Sequence, residues 1–452
     1  MIKAYEKYKH TKNTWYTKVP SQWLLSKVKY IAKTIAGGTP STDKSEYWEN
    51  GDIPWLPSGK LQNCDITTAE KFITEQGFNN SSTKWIKPNT TLIALTGATC
   101  ANIGFLKFQA CANQSVVAID EFPDKADSRF LFYMFLSMRN QILTYQSGGA
   151  QAGINDGNVK NLYLVVPPLN EQTKIAQYLD HHTAIIDQLI LQKEKLIELL
   201  KEKRQVVINE AVTKGLNSNA NMKDSKIEWL GEIPEQWEVK KVKYLLSENE
   251  GIKIGPFGSA LKLDMMVDSG YKVYGQENVI NNDFETGKRF ITEAKYEEMA
   301  NYKLFPGDII ITMMGTTGKC KVLPEGVAEG IMDSHLIRLR LNKGIFPEFF
   351  ALLINDSDYI KQQIDEVSKG AIMTGLNSTI IKTLLIILPD SRKKQEELLI
   401  EIKNKLILIE TLSNNLILQV EKLKEYRQSI ISEAVTGKID VRDWQPNKKQ
   451  MA

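Results

Sequence analysis

Few residues in this sequence have the types and spacing that catalysis needs. Gly315-Thr316-Thr317-Gly318-Lys319-Cys320 comes nearest to a phosphate-binding loop. It lacks the upstream glycine and the Ser or Thr after the lysine with which such loops hold phosphate and magnesium. We interpret it as a loop between two strands. The sequence has no dinucleotide fingerprint, nucleophile elbow or carboxylate set at metal spacing, so it predicts a chain that is not an enzyme.

Metal binding and disulfide chemistry are not expected either. Cys64, Cys100, Cys111 and Cys320 show neither CxxC nor Cys/His ligand spacing, so we expect buried or half-buried thiols. His181-His182 are neighbours on a predicted helix and point about 100° apart, which makes joint chelation of one ion difficult.

Composition places the chain among ordinary globular proteins of two or three domains. Its 452 residues are 42% hydrophobic and 25% charged, and the net charge is only +3, so global basicity does not indicate nucleic acid. The longest apolar runs are too short for a membrane span, and the lysine-rich N-terminus is followed by no apolar stretch. We therefore predict a cytoplasmic protein with no membrane partner.

Two long helices, predicted over residues 170–212 and 391–435, position everything else. Apolar residues recur at the 4, 3, 4, 3 spacing of a coiled-coil seam, seven of nine positions in the second helix and six of nine in the first. The seam positions are Ile402, Leu406, Ile409, Ser413, Leu416, Val420, Leu423, Arg427 and Ile430, and, 223 residues earlier, Leu179, Thr183, Ile186, Ile190, Lys193, Ile197, Leu200, Arg204 and Val207. Each helix thus has a partner within its own chain.

The globular parts are duplicated as well. Trp15-x-x-x-Val19-Pro20-x-Gln22-Trp23 returns 214 residues later as Trp229-x-x-x-Ile233-Pro234-x-Gln236-Trp237. Short β-branched runs broken by Gly, Pro and Asn predict a strand-rich α/β domain in each half, with one helical segment each, at 129–145 and 347–367. The predicted fold class is α+β, an internal duplication of domain and helix with pseudo-twofold symmetry.

The two domains share a frame but differ in their loops. Asn113-Gln114-Ser115-Val116 precedes a strand much as Asp333-Ser334-His335-Leu336 does. In contrast, Gly37-Gly38-Thr39-Pro40-Ser41 has only Gly255-Pro256-Phe257-Gly258-Ser259 as its counterpart. Two domains with a shared frame and different loops are suited to recognising two different targets.

The duplication divides the chain into six predicted segments. These are a first globular domain (1–165), a first long helix (166–214), a linker and entry to the second unit (215–237), a second globular domain (238–388), a second long helix (389–437) and a C-terminal tail (438–452). Because the linker corresponds to the tail plus the N-terminal residues, we expect the two chain ends to lie together.

With these motifs in order, the chain resembles the DNA-specificity subunit of type I restriction-modification enzymes. The resemblance rests on VPxxW at Val19 to Trp23, GGTPS at Gly37 to Ser41, GDIPW at Gly51 to Trp55, NQS at Asn113 to Ser115, and the paired helix ends INEAVTKG and ISEAVTGK. It covers nearly the whole chain. The order and duplication of the motifs are specific, although no single motif is.

The resemblance implies two target-recognition domains separated by an antiparallel pair of helices, reading a bipartite asymmetric site in double-stranded DNA. It implies that two DNA-methyltransferase subunits and then restriction/translocase subunits dock on the chain. S-adenosylmethionine, ATP and magnesium are expected in those partners, and no cofactor is expected in this chain.

Candidate DNA contacts are polar and basic residues on the divergent loops. Asn and Gln can pair with adenine edges, Lys with guanine, and Ser, Thr and Lys with phosphate. The candidates are Thr39, Ser41, Lys44, Lys60, Thr99, Asn102, Gln151 and Asn155 in the first domain, and Lys253, Ser259, Lys262, Gln276, Asn278, Thr316, Lys319 and Lys369 in the second.

Two other interpretations remain open from the sequence. The chain could be a non-catalytic coiled-coil scaffold, or an orphan specificity subunit, that binds protein partners only. A restriction enzyme with its own catalysis is disfavoured by the missing motifs. A band shift with the cognate methyltransferase at moderate salt separates the DNA-reading subunit from the protein-binding scaffold.

Overall fold

A computed structural model describes residues 3–147, 152–217, 219–257, 260–313, 318–368 and 376–446. The chain forms two compact units, one of residues Met1–Glu194 with Ile417–Ala452 and the other of Lys195–Leu416. Each unit holds one globular domain and part of both long helices.

The first unit is strand-rich. Its strands are β1 (Tyr8–His10), β2 (Lys18–Pro20), β3 (Leu24–Lys27), β4 (Ala32–Ala36), β5 (Ile53–Leu56), β6 (Cys64–Ile66), β7 (Lys71–Ile73), β8 (Thr90–Ala94), β9 (Ile103–Leu106), β10 (Cys111–Ala112), β11 (Val116–Glu121) and β12 (Tyr163–Val166). Its helices are α1 (Glu75–Asn79), α2 (Ser128–Ser137), α3 (Arg139–Leu143), α4 (Asp156–Asn161) and the start of the first long helix, α5 (Leu169–Lys214).

A five-stranded sheet in the order β4-β11-β8-β9-β6 forms the centre of this domain, beside a three-stranded sheet in the order β10-β5-β7. The fully buried Leu92, Ala94, Val116 and Ala118 contribute to its core. Strands β10 and β5 run parallel, with Ala112 opposite Leu56, so their carboxyl ends lie side by side.

The second unit repeats this plan. Its strands are β13 (Met222–Asp224), β14 (Glu232–Pro234), β15 (Glu238–Lys241), β16 (Ile252–Ile254), β17 (Tyr271–Tyr274), β18 (Phe290–Ile291), β19 (Lys303–Leu304), β20 (Ile309–Thr312), β21 (Cys320–Val322), β22 (Gly330–Met332), β23 (Leu336–Leu339) and β24 (Leu385–Leu388). Its helices are α6 (Gln276–Asn281), α7 (Glu293–Glu298), α8 (Pro347–Asp356), α9 (Asp358–Ser368), α10 (Ser378–Thr383) and the first part of the second long helix, α11 (Arg392–Val435).

Seven strands of its two larger sheets keep the order found in the first unit, whereas β6 and β19 have no counterpart among the described strands. The sheet β16-β23-β20-β21 corresponds to β4-β11-β8-β9, and β22-β17-β18 corresponds to β10-β5-β7. The parallel pair recurs as well, with Tyr274 opposite Met332. The expected duplication of the domain is therefore present in the strand order.

One prediction about helices is wrong in both domains. Each predicted helical segment, 129–145 and 347–367, is two helices, with breaks after Ser137 and at Ser357. The Ser137 hydroxyl donates to Met134 O (2.8 Å) and the Ser357 hydroxyl donates to Leu353 O (2.6 Å). A serine that bonds a preceding carbonyl competes with the helical ladder, and the apolar period alone does not reveal it.

The long helices pair as the seam predicts. All eighteen predicted seam positions, from Leu179 to Val207 and from Ile402 to Ile430, are buried or half-buried. Within the first unit the helices are antiparallel, because Arg427 pairs with Asp187 (2.7 Å) while Lys424, earlier in its helix, pairs with Glu194 (3.0 Å), later in the other. Within the second unit, Ile208 and Val212 share a core with Ile402 and Leu406.

One glutamine in each half of the chain attaches the globular domain to the start of a long helix, and the two glutamines occupy equivalent positions. Gln172 accepts from Asp127 N (2.8 Å) and donates to Lys125 O (3.0 Å) and Pro167 O (2.9 Å). Gln395, 223 residues later, forms the same three kinds of bond with Phe346 N, Gly344 O and Pro389 O. Both glutamine side chains are buried, and their bonds to Pro167 O and Pro389 O are buried as well.

We expect Gln172→Ala to lower the free energy of unfolding by about 2–4 kcal/mol, because three backbone groups lose the partner that a buried side chain gives them. Urea denaturation of the full chain measures this loss. Gln192→Ala, at an exposed position of the same helix, is the matched control and should stay within about 0.5 kcal/mol of the parent chain. Equal losses in the two variants would contradict the anchoring role.

The described residues near the two chain ends lie together, as expected. Asp440 N donates to Lys3 O (2.7 Å), and the Tyr8 hydroxyl donates to Gly437 O (2.9 Å). The hairpin β1-β2, which pairs Tyr8 with Pro20, recurs within the predicted linker as β13-β14, which pairs Met222 with Pro234.

Candidate nucleic-acid interface

Three loops of the first domain meet at the end of strand β8. Leu95 N donates to Ser115 O (2.8 Å), and Ile154 N donates to Leu95 O (2.8 Å). Thr96 forms a β-bridge with Gly153. The turn at 113–115, the loop at 96–102 and the segment from 152 to 155 therefore form one continuous surface.

The glycine-rich loop joins the same surface. Gly37 N donates to Val116 O (3.0 Å), and the Thr39 hydroxyl donates to Oε1 of Gln114. Asn113 N donates to Leu56 O (3.0 Å), which ties the turn to the carboxyl end of β5. We call the turn at 113–115 with these neighbours the first reading surface.

Four predicted contacts lie on or beside the first reading surface, and three of them also support its loops. Asn155 caps α4 by accepting from Asn158 N (2.9 Å), Asn102 donates to Leu61 O (2.9 Å), and Thr99 donates to Thr96 O (3.3 Å). Thr39, the fourth, bonds Gln114.

The other predicted contacts of this domain make their bonds elsewhere. Lys44 donates to the Tyr47 hydroxyl (3.1 Å), and Lys60 is paired with Glu70. Ser41 is exposed. Gln151 lies outside the described residues.

The second domain repeats the frame of this surface. Gly255 N donates to Leu336 O (2.9 Å), and Met313 N donates to His335 O (3.0 Å). Asp333 N donates to Tyr274 O (2.9 Å). These bonds correspond one to one with those of Gly37, Leu95 and Asn113. We call the turn at 333–335 with its neighbours the second reading surface.

Of the predicted contacts in the second domain, Gln276 lies just after the carboxyl end of β17, where Tyr274 O accepts from Asp333 N. Asn278 is buried, with its amide bonded to Gly275 N, Asp283 O and Thr286 O. Lys319 and Lys262 are exposed, and Lys253 lies over the Tyr302 ring at 5.3 Å. Ser259, Thr316 and Lys369 lie outside the described residues.

A charged cluster beside the second reading surface was not foreseen. Arg289 pairs with Asp333 (3.1 Å) and with Glu277. Burial works against the charge of Arg289, but the two carboxylates outweigh it and raise the pKa of the guanidinium. Arg289 and Asp333 are 44 residues apart, and no sequence pattern links them. Gln114 and His335, which lie on the two surfaces, were not among the predicted contacts, although both belong to motifs that mark the duplication.

The cysteines match the expectation except at one position. Cys100, Cys111 and Cys320 are buried, but Cys64 is exposed, because it begins β6 at the edge of the central sheet. Burial raises the pKa of the Cys111 thiol to about 12 and also raises that of Cys320. Among the described residues, no group of three or more His, Cys, Asp or Glu side chains is arranged to hold a metal ion.

Two remaining features bear on function. The loop that resembles a phosphate-binding loop joins the antiparallel strands β20 and β21, although residues 314–317 themselves are outside the described part. No helix in the described ranges has the length and hydropathy to cross a membrane.

Comparison with known proteins identifies the family. The family described as "Type I restriction modification DNA specificity domain" matches residues 20–199 and 234–422, one match for each half of the duplication. The chain is 25% identical over 445 residues to the MjaVIII specificity subunit of Methanocaldococcus jannaschii, covering 94% of this chain and 95% of that one. It is 22% identical over 438 residues to the EcoKI specificity subunit of Escherichia coli, covering 93% and 90%.

Solved structures agree on the fold. A chain from a structure concerning assembly and conformational transition of the type I R-M system aligns with a TM-score of 0.69 at 14% identity, covering 93% of this chain and 99% of that one. The HsdS subunit from Thermoanaerobacter tengcongensis aligns with a TM-score of 0.55 at 14% identity, covering 93% and 98%. With the family model matching most of its length, the chain belongs to the DNA-specificity subunits of type I restriction-modification systems, which are non-catalytic and recognise DNA within a complex of several subunits.

Proposed function

We propose that each globular domain reads one half of a bipartite, asymmetric site in double-stranded DNA, the first reading surface serving one half and the second serving the other. The observation that carries this proposal is the shared frame of the two surfaces. Equivalent backbone hydrogen bonds hold Gly37 and Gly255, and Asn113 and Asp333, yet the side chains they display differ. Two readers of the same build with different side chains suit a site whose halves differ in sequence.

We further propose that two DNA-methyltransferase subunits, and then restriction/translocase subunits, assemble on the chain. Support comes from apolar side chains of the long helices that are more than a third exposed, since extended apolar surface is typical of protein interfaces. In the first unit they include Ile185, Leu189, Leu191, Ile417 and Leu418, and in the second unit Leu196, Leu199, Ile400, Ile407, Leu408 and Leu412.

Under this proposal the chemistry belongs to the partners. S-adenosylmethionine would serve the methyltransferase subunits, and ATP with magnesium would serve the restriction subunits, with no cofactor in this chain. The assembly would act where the host DNA is, in the cytoplasm.

A band shift tests the proposal. The chain purified with its methyltransferase subunits should retard duplex DNA that contains the site at moderate salt. The chain alone should bind weakly, because its 57 basic residues are nearly balanced by 54 acidic ones, which leaves little overall attraction to phosphates. Binding by both should weaken as salt rises, since phosphate contacts release counterions. A stable complex that retards no DNA at any salt concentration would instead support a protein-binding scaffold.

A further inference from the structure

A close glycine contact keeps each turn in place on its reading surface. A Cβ atom added to Gly37 would lie 2.0 Å from Asn113 O, and one added to Gly255 would lie 1.8 Å from Asp333 O. Neither position can accept a larger residue without displacing backbone. Together with the shared hydrogen bonds, this contact fixes the backbone positions from which the side chains of residues 113–115 and 333–335 extend.

The two turns display different polar side chains on this common frame. Gln114 is exposed and its Oε1 accepts from Thr39, which leaves its amide nitrogen without a partner among the described residues. At the second turn, His335 is exposed, and its Nδ1 lies 3.3 Å from the Ser334 hydroxyl. An amide and an imidazole offer different donors and acceptors, so the two turns can distinguish different bases.

Buried oxygens without partners accompany both turns. In the described part of the chain, Asn113 Oδ1 and Gln276 Oε1 are buried and accept no hydrogen bond. Asn113 begins the first turn. Gln276 follows Gly275, where an added Cβ would be 2.8 Å from the Asp333 carboxylate of the second turn.

Both oxygens are acceptors, so their missing partners are donors. Base edges in the major groove offer such donors as the amino groups of adenine and cytosine. Asn113 and Gln276 are only half-buried as whole residues, so a side-chain rotation can bring either amide to the surface without moving the backbone.

We propose that Asn113 and Gln114 in the first domain, and Gln276 and His335 in the second, are specificity-determining residues that contact base edges of the two half-sites. The inference rests on the proposed function, because it names the side chains through which the two domains read DNA. It assigns each half of the site to a turn whose backbone is common to both domains.

Selection from a randomised duplex library tests this inference. The full chain in complex with its methyltransferase subunits is compared with the same complex carrying Gln114→Ala or His335→Ala. Each variant should lose about 10- to 100-fold of its discrimination at one or two positions of one half-site, which is the effect of losing a good base contact. The other half-site should stay as in the parent complex. Asn113→Ala and Gln276→Ala should act on the same halves as Gln114→Ala and His335→Ala respectively.

Gln109→Ala and Gln362→Ala are matched controls, because both residues are exposed and neither belongs to a reading surface. Thermal unfolding confirms that each variant is folded, and a variant that is not folded is replaced by Gln114→Ser or His335→Asn. If the parent complex selects no bipartite site, the proposed function fails. If the parent complex selects a site but the folded variants keep both halves, or lose binding to all sequences alike, the inference is overturned and the proposed function stands.

Discussion

Exchanging residues 238–379 for the equivalent region of another specificity subunit should change one half of the recognised DNA site and leave the other half as it was. The reason is that each domain has a core of its own. Leu92 and Val116 belong to a cluster within the first domain, whereas Tyr274 and Leu336 belong to one within the second. Substitutions in separate cores couple weakly, so the exchange should change DNA recognition by one domain only.

Methylome sequencing of a host carrying the exchanged gene measures this result. The reciprocal exchange of residues 24–159 is the matched control and should change the opposite half. If either exchange altered both halves, the two domains would not be independent readers.

The second large effect is expected at the helix seam. Ile402→Ala should lower the free energy of unfolding by about 2–5 kcal/mol, the usual cost of truncating a fully buried isoleucine. Ile402 is 0% exposed and packs in the same cluster as Ile208 and Val212 of the other long helix.

Ile407→Ala makes the same chemical change five residues later on the same helix, where the side chain is 59% exposed. It should alter stability by no more than about 0.5 kcal/mol, because little apolar surface is lost and alanine favours the helix. Urea denaturation of the isolated full chain compares the two variants. Similar losses would show that the seam is not the packed face of the helix.

The seam and the duplication were predictable because both appear in the sequence as regular spacings between residues. A heptad stripe needs only residues three and four apart, and an internal repeat needs only a constant offset. The predicted helix of residues 170–212 differs from the observed Leu169–Lys214 by one or two residues at each end. The breaks at Ser137 and Ser357 were missed because a hydroxyl bonded to a carbonyl leaves the apolar period intact.

The reading surfaces were only partly predictable. The sequence identified the divergent loops as candidates, but it could not separate a side chain that supports a loop from one that is free to contact DNA. Asn278 in α6 and Asn155 just before α4 illustrate the difficulty, since both were predicted to contact DNA but their amides hold the backbone of their own domain. The ion pair of Arg289 with Asp333 depends on strand order, which cannot be inferred from residue spacing.

Methylome sequencing of a host with and without this gene, in the presence of the partner subunits, tests the central claim most directly. The account predicts that methylation of one bipartite, asymmetric site appears with the gene and disappears without it. The site should consist of two short specific sequences separated by bases that are not recognised. Methylation of a single continuous word, or an identical methylome in the two hosts, would contradict the account.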